Sequence, residues 1–230
     1  MQISKKILNL RCTVFVDKIF PFSIETASVF KDILKIPNAI PIILQDIQNV
    51  FIPNQPTQNW GINENGVNIA EVHGNKIDIF NFDETISESV FCKTFATTVK
   101  LLLKVLNARP RRLAFAPTYT IETNNIASFY EKNLVRPNFK DTGMQEFSIN
   151  RVYYKPEDVK GILFNMIYNV NAVLQQNDML GFNKERNLLI MNDINTRDLG
   201  NKFYDENELD VFYDNVPERN EEFLKLFLGE

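Results

Sequence analysis

The apolar residues of this 230-residue chain change period at Pro110, and that change limits the folds open to it. Before it, Phe91, Phe95, Thr98, Leu102 and Leu106 recur every three or four residues, the stripe of a helix that buries one side. After it, Leu113, Phe115, Tyr119 and Ile121 alternate with Ala114, Ala116, Thr118 and Thr120, a strand with one bulky and one small face. A helix over 85–107 running directly into a strand over 112–122 excludes both all-α and all-β architectures. Pro117 inside that strand predicts an edge position or a bulge, because proline offers a sheet no amide.

Both periods recur along the chain. Residues 6–17 alternate, with Leu8, Leu10, Cys12, Val14 and Val16 on the apolar side. Ser23 is placed to cap a short helix reaching about residue 35, with Ala27, Phe30 and Leu34 on one face. A second strand is expected over 39–50, interrupted at Pro41, followed by a proline- and amide-rich loop over 52–65 that Trp60 pins to the core. The clearest hairpin spans 67–82 and turns at Gly74-Asn75. It pairs Val72 with Ile77 and Ala70 with Ile79 on one face, and Val67 with Phe82, Ile69 with Phe80, Glu71 with Asp78 and His73 with Lys76 on the other. Asn124 can cap a helix carrying Ile126, Phe129 and Tyr130. Strands near 146–154, 161–174 and 187–196 precede a helix over 206–228, where Asp205 and Glu208 have capping-box spacing. Leu209, Phe212, Val216, Phe223 and Phe227 form its apolar side, and Pro217 is expected to kink or divide it. Together these elements predict an α+β protein, an antiparallel sheet packed against helices, with 1–230 as a single globular unit. Two βββα-type halves, 1–140 and 141–230, are a further reading of the same pattern.

Scarce residues exclude whole classes of chemistry. With one histidine, His73, and two cysteines, Cys12 and Cys92, three-histidine, HExxH and cysteine-rich zinc sites are out of reach. No metal, cofactor or catalytic constellation is expected. The cysteines lie far apart in the sequence in apolar contexts and make no disulfide framework, which predicts a reducing compartment. No apolar run approaches the ~18 residues of a membrane span. The apolar stretch after Lys5-Lys6 is broken by Asn9 and Arg11, short of the ~7–15 residues of a signal core. A cytoplasmic protein without membrane contact is the expectation.

Charge is segregated. From 89 to 121 there is no acid, while Lys93, Lys100, Lys104, Arg109, Arg111 and Arg112 are all present. The three lysines share one helical face opposite the phenylalanine stripe, and the arginines follow at the helix exit, where cations suit the unpaired carbonyls. This is the candidate anion- or partner-binding surface, for a phosphate-bearing ligand, nucleic acid or an acidic protein. Its plain alternative is a solvated helix face. Residues 197–230 carry ten acids against four bases, a local net of −6 within a total of −4. That asymmetry suits packing of the two long helices within one molecule, and equally self-association or a basic partner.

Other groups carry weaker signals. Asp193, Asn195 and Asp198 could seed an oxygen-ligand site but lack the remaining ligands of a calcium loop. Asn165, Asn169 and Asn171, with Asn150 near them, read as the solvent side of a sheet whose other side is Ile162, Phe164, Met166, Tyr168 and Val170. His73 has Glu71 on its own strand face as an orienting partner, at a hairpin tip open to water. Ser28-Val-Phe-Lys31 has the bare spacing of some acyl-transfer enzymes without their companion motifs.

The run Asn187-Leu-Leu-Ile-Met-Asn-Asp-Ile-Asn195, a polar loop and the helix ending Glu222-Phe223-Leu-Lys-Leu-Phe227 resemble the tail of a sporadically distributed prokaryotic family of roughly 250-residue proteins of unknown function. There, a strand ending Asp-x-Asp precedes a closing helix with a late phenylalanine. The hairpin over 67–82, the helix over 85–107 and the strand over 112–122 follow that family's order as well. This chain departs from it at Asn195, where the second acid would stand. The resemblance implies an α+β fold and supplies no activity. The functional expectation is therefore a non-enzymatic protein-interaction module of a bacterium, with another protein as partner. Binding of nucleic acid or a phosphorylated ligand through the 93–112 face, a metal-assisted hydrolase using Asp193, Asp198 or Glu71, and homo-oligomerisation stand as alternatives.

Overall fold

The alternating run at the start of the chain becomes the strand around which the fold is built. The computed structural model describes residues 3–44, 59–123, 147–153, 158–172, 187–197, 200 and 202–228, and in it this run is β1 (Ile3–Val16). Leu10, Cys12, Val14 and Val16 are buried on one face of the sheet, while Arg11 and Phe15 stand half-buried on the other. On one side β1 pairs with β5 (Lys76–Asn81), and beyond it lie β4 (Val67–His73), β3 (Trp60–Glu64) and β2 (Ile40–Ile43). On the other side it pairs with β6 (Pro110–Thr123), followed by β10 (Asn187–Thr196), β9 (Ile162–Ala172) and β7 (Phe147–Tyr153). The short β8 (Asp158–Val159) also pairs with β9. All of these pairs are antiparallel.

Three helices, α1 (Ile24–Leu34), α2 (Glu88–Val105) and α3 (Glu206–Leu228), cover the face that carries Leu10, Cys12 and Val14. The chain is thus an α+β protein, an antiparallel sheet packed against helices. Local signals fix the helix ends. Ser23 accepts the Thr26 amide at 3.0 Å, and Lys35 closes α1 in the left-handed region at φ 59°. At α3 the capping box forms in full: the Asp205 amide donates to Glu208 at 2.9 Å and the Glu208 amide to Asp205 at 2.8 Å. Aromatic contacts then hold the layers together. Trp60 is wholly buried, takes the ring of Phe30 edge-on at 5.2 Å and donates from Nε1 to the Phe20 carbonyl at 2.9 Å. Phe95 of α2 meets Tyr213 of α3 at 4.8 Å, and Phe164 of β9 stacks on Phe212 at 5.1 Å.

Several local expectations change in three dimensions. Trp60 opens strand β3 rather than sitting in a loop, and Pro41 lies in β2, the last strand on its side of the sheet. Pro117 lies in a central strand, paired on both sides. The sheet accommodates it locally: β1 shifts register between Ile7 and Asn9, beside the Leu10–Pro117 pair, and the β6–β10 pairing has a gap between Met191 and Ile194. The hairpin keeps its expected register from His73–Lys76 to Ala70–Ile79 and no further. A register shift between β3 and β4 skips Ile69, after which Asn68 pairs with Asn63 and β5 continues along β1. Pro217 is buried inside α3, which runs on as one element. The helix expected from Asn124, with Ile126, Phe129 and Tyr130, lies outside the described residues, as does the 45–58 stretch.

Strands extend on both sides of the β1–β6 pair: outward from β1 run β5, β4, β3 and β2, and outward from β6 run β10, β9 and β7. Helix α2 follows β5 as α3 follows β10.

Candidate functional site

The six cations singled out by the acid-free stretch do not share one face. Lys100, Lys104 and Arg109 line a cleft of about 600 Å³ between the end of α2 and the start of α3, floored by Leu103, Ala108 and Leu209. Phe203, just ahead of α3, forms its wall, with the Arg109 guanidinium 3.9 Å and that of Arg111 5.4 Å from the ring centre. Arg111 also donates to the Gly200 carbonyl at 2.8 Å. Lys93 is exposed about two turns before Lys100 on α2. Arg112 lies on the opposite face of the sheet, beside its strand partner Phe15, 5.1 Å from that ring. Strand alternation is the reason: Leu113 points to the core, so Arg112 points away from it.

Nor are the lysines a purely solvated stripe. Lys100 reaches α3 and binds both oxygens of Asp210, at 2.7 and 2.9 Å. Arg109 is held by Asp17 through its amide and its Nε, each at 2.8 Å. Burial raises the Asp17 pKa, but those two donors and the arginine charge outweigh it and leave the carboxyl below its ordinary value. Lys104 has no ion-pair partner among the described residues. Asp205 and Glu206 line the same cleft, so its charge is mixed. Exposed Leu101 and Val105 flank Lys104 on the outer side of α2.

The helix face conceals a polar network that the sequence patterns did not reveal. Glu88, in the first turn of α2, is only 8% exposed. It accepts from the Tyr119 hydroxyl at 2.7 Å and from Asn220 Nδ2 at 2.8 Å, and lies 3.4 Å from Lys5. Asn220 in turn accepts from Asn192 at 2.6 Å. Burial, then the neighbouring Glu88 charge, pushes the Tyr119 hydroxyl well above its ordinary pKa, so it stays a proton donor. The network ties β1, β6, β10, α2 and α3 together. An acid in a first helical turn reads from sequence as a dipole partner; only the packing of Tyr119 and Asn220 turns it inward.

Cys12 and Cys92, distant in sequence, stand with their sulfurs 3.8 Å apart in the core, both as free thiols. Burial and then the hydrogen bond with Cys92 raise the Cys12 pKa well above that of an exposed thiol, which keeps it protonated and unreactive.

On the far side of the sheet, Glu71, His73 and Asp78 offer one ligand atom each within 4.8 Å of one another. All three already have protein partners. His73 lies 3.0 Å from Glu71, Asn68 donates to Glu71 at 2.8 Å, Lys76 sits 2.6 Å from Asp78, and Thr13 donates to Asp78 as well. The lysine ammonium stands where a divalent cation would neutralise Asp78. The hydrogen bond from His73 is the main cause that holds the Glu71 pKa below its ordinary value.

The same far face has a hollow of about 280 Å³ above the small residues of β6. Arg11 and Asp193 line it, as do Phe80 and Met191. Arg11 has a buried Nε with no acceptor. Asp193 accepts from Asn195 at 3.1 Å, and Asn195 accepts from Asn165 at 3.2 Å. Asp198 lies outside the described residues, as do the side chains of Asn150, Asn169 and Asn171. No helix of the described residues is long and apolar enough to cross a membrane.

No protein-family model matches this chain, and comparison with curated proteins and with solved structures finds no match either.

Proposed function

We propose that the chain is a non-enzymatic protein-interaction module that takes an acidic, partly apolar segment of another protein at the α2–α3 cleft. The observation that carries this reading is the cleft itself: about 600 Å³, with Lys104 unpaired, Phe203 clasped by two arginines, and Leu101 and Val105 exposed beside it. Apolar surface next to an unpaired cation suits a protein segment that offers both side-chain types. A phosphate ligand fits less well. Lys100 and Arg109 already neutralise Asp210 and Asp17, and Asp205 and Glu206 would repel a dianion. The free thiols Cys12 and Cys92 support a cytoplasmic location within this reading.

In-cell photo-crosslinking tests it. A photoreactive residue replacing Leu101 is expected to trap one protein, and the added substitution Lys104→Glu is expected to abolish that product while leaving the fold intact by circular dichroism. A product unchanged by Lys104→Glu, or crosslinking from Thr118 on the far face but none from Leu101, sinks the assignment. Binding that weakens steeply with salt and is competed by free oligonucleotide would favour the nucleic-acid alternative instead.

A further inference from the structure

We propose that the hollow on the helix-free face of the sheet is a binding site for a small zwitterion of the α-amino-acid type, its carboxylate held by Arg11 and its ammonium by Asp193. The site is built from strand alternation. The small face of β6 puts Ala116 on its floor, only 8% exposed although no described helix covers that side. Arg11 of β1 is the direct strand partner of Ala116 on one side. The β6–β10 register brings Asp193 opposite Ala116 on the other side, since Met191 pairs with Thr118 and Asn195 with Ala114. The two opposite charges therefore straddle one strand, with backbones about 9–10 Å apart at the usual strand spacing.

An arginine and an aspartate at that separation can reach each other, yet they form no ion pair. The buried Arg11 Nε has no acceptor, which is an unfavourable state for a guanidinium unless something else supplies one. A planar carboxylate matches its fork of donors. Asp193 has one oxygen engaged by Asn195, which orients the carboxylate and leaves the second oxygen for an ammonium. Asn9 and Thr118 also line the hollow, and among the described residues their side chains have no hydrogen-bond partner, so both can serve the same ligand. Phe80, the strand partner of Arg11, and Met191 supply apolar walls for a side chain. Opposite charges on opposite walls with apolar surface between them are complementary to a molecule that carries both charges at one end and an apolar group at the other. An inorganic anion would use Arg11 and leave Asp193 repelling it.

The test is thermal unfolding of the full chain with each proteinogenic L-amino acid at about 10 mM, enough to register a millimolar Kd. At least one apolar amino acid is expected to raise Tm by about 3 °C, in a concentration-dependent way. Its amide, which lacks the carboxylate, and its N-acetyl derivative, which lacks the ammonium, are expected to give no shift. Arg11→Met and Asp193→Asn are each expected to weaken binding at least tenfold, while Lys104→Glu in the cleft leaves it unchanged. If either far-face variant fails to fold, the two derivatives decide the matter on the unaltered protein. The proposal is overturned if no amino acid shifts Tm, if the amide or N-acetyl form binds as well as the parent, or if inorganic phosphate binds with the same affinity in Asp193→Asn.

Discussion

Two groups of polar side chains, one on each face of this sheet, differ in their partners. On the helix face, Glu88, Tyr119, Asn220 and Asn192 are buried and bonded to one another, with only Asn192 Oδ1 left without a partner among the described residues. On the far face, Arg11, Asn9 and Thr118 surround a hollow, the buried Arg11 Nε has no acceptor, and the side chains of Asn9 and Thr118 have no hydrogen-bond partner among the described residues. Buried polar groups stabilise a fold only when satisfied, and an unsatisfied one lowers stability unless a ligand completes it. The difference separates polar groups that hold the molecule together from polar groups available to bind.

Breaking the helix-face network should have the largest effect. Glu88→Ala strands Tyr119, Asn220 and Lys5 around a vacated acid, and is expected to lower unfolding free energy by about 3 kcal/mol in urea titration. A loss under about 1 kcal/mol would mean that water replaces the acid and that the network is not structural. Tyr213→Phe removes one hydroxyl, which donates to the Thr13 carbonyl at 2.8 Å in the core and lies 3.5 Å from the Ala114 carbonyl. It should lower stability by about 1 kcal/mol in the same assay. Lys100→Gln, in a pair whose partner Asp210 is 45% exposed, should change stability by no more than about 0.5 kcal/mol. That small value would confine the role of the cleft cations to binding.

The smallest expected effect is a pH dependence at the far-face cluster. The folded pKa of Glu71 is depressed, chiefly by the His73 hydrogen bond, so its contribution is present above the unfolded carboxylate range and lost as pH falls through the folded value. Stability curves for the protein and for Glu71→Gln should therefore differ at pH 6 and converge below about pH 4. A gap that widens toward acid would mean that the Glu71 pKa is raised instead.

What was legible in the sequence was local. Ser23, the Asp205–Glu208 box and the Gly74-Asn75 turn each fix their element through neighbours a few residues away, and each element forms where expected. What was hidden depends on partners distant in the chain. Pro117 signalled an edge or a bulge; that the strand is central and β1 bulges beside it depends on β1 and β10, which no pattern within β6 reveals. The acid-free stretch marks six cations correctly as charge, but Arg112 is turned to the other face by alternation and Lys100 is drawn into α3 by Asp210. Phe203, Asp17 and Asp210 complete the cleft from far along the chain. The small face of 114–120 was visible in the sequence; that it floors a hollow depended on Arg11 and Asp193 lying on the strands either side.

One paired measurement tests the contrast between the faces most directly: the urea midpoints of Arg11→Met and Asn220→Leu, with no ligand added. Asn220→Leu should fall by roughly 2–3 kcal/mol equivalent, because it unbonds Glu88, Tyr119 and Asn192 together, while Arg11→Met should match or exceed the parent protein. An Arg11→Met variant as unstable as Asn220→Leu would contradict the account, making Arg11 a structural member of the fold rather than a group held ready for a ligand.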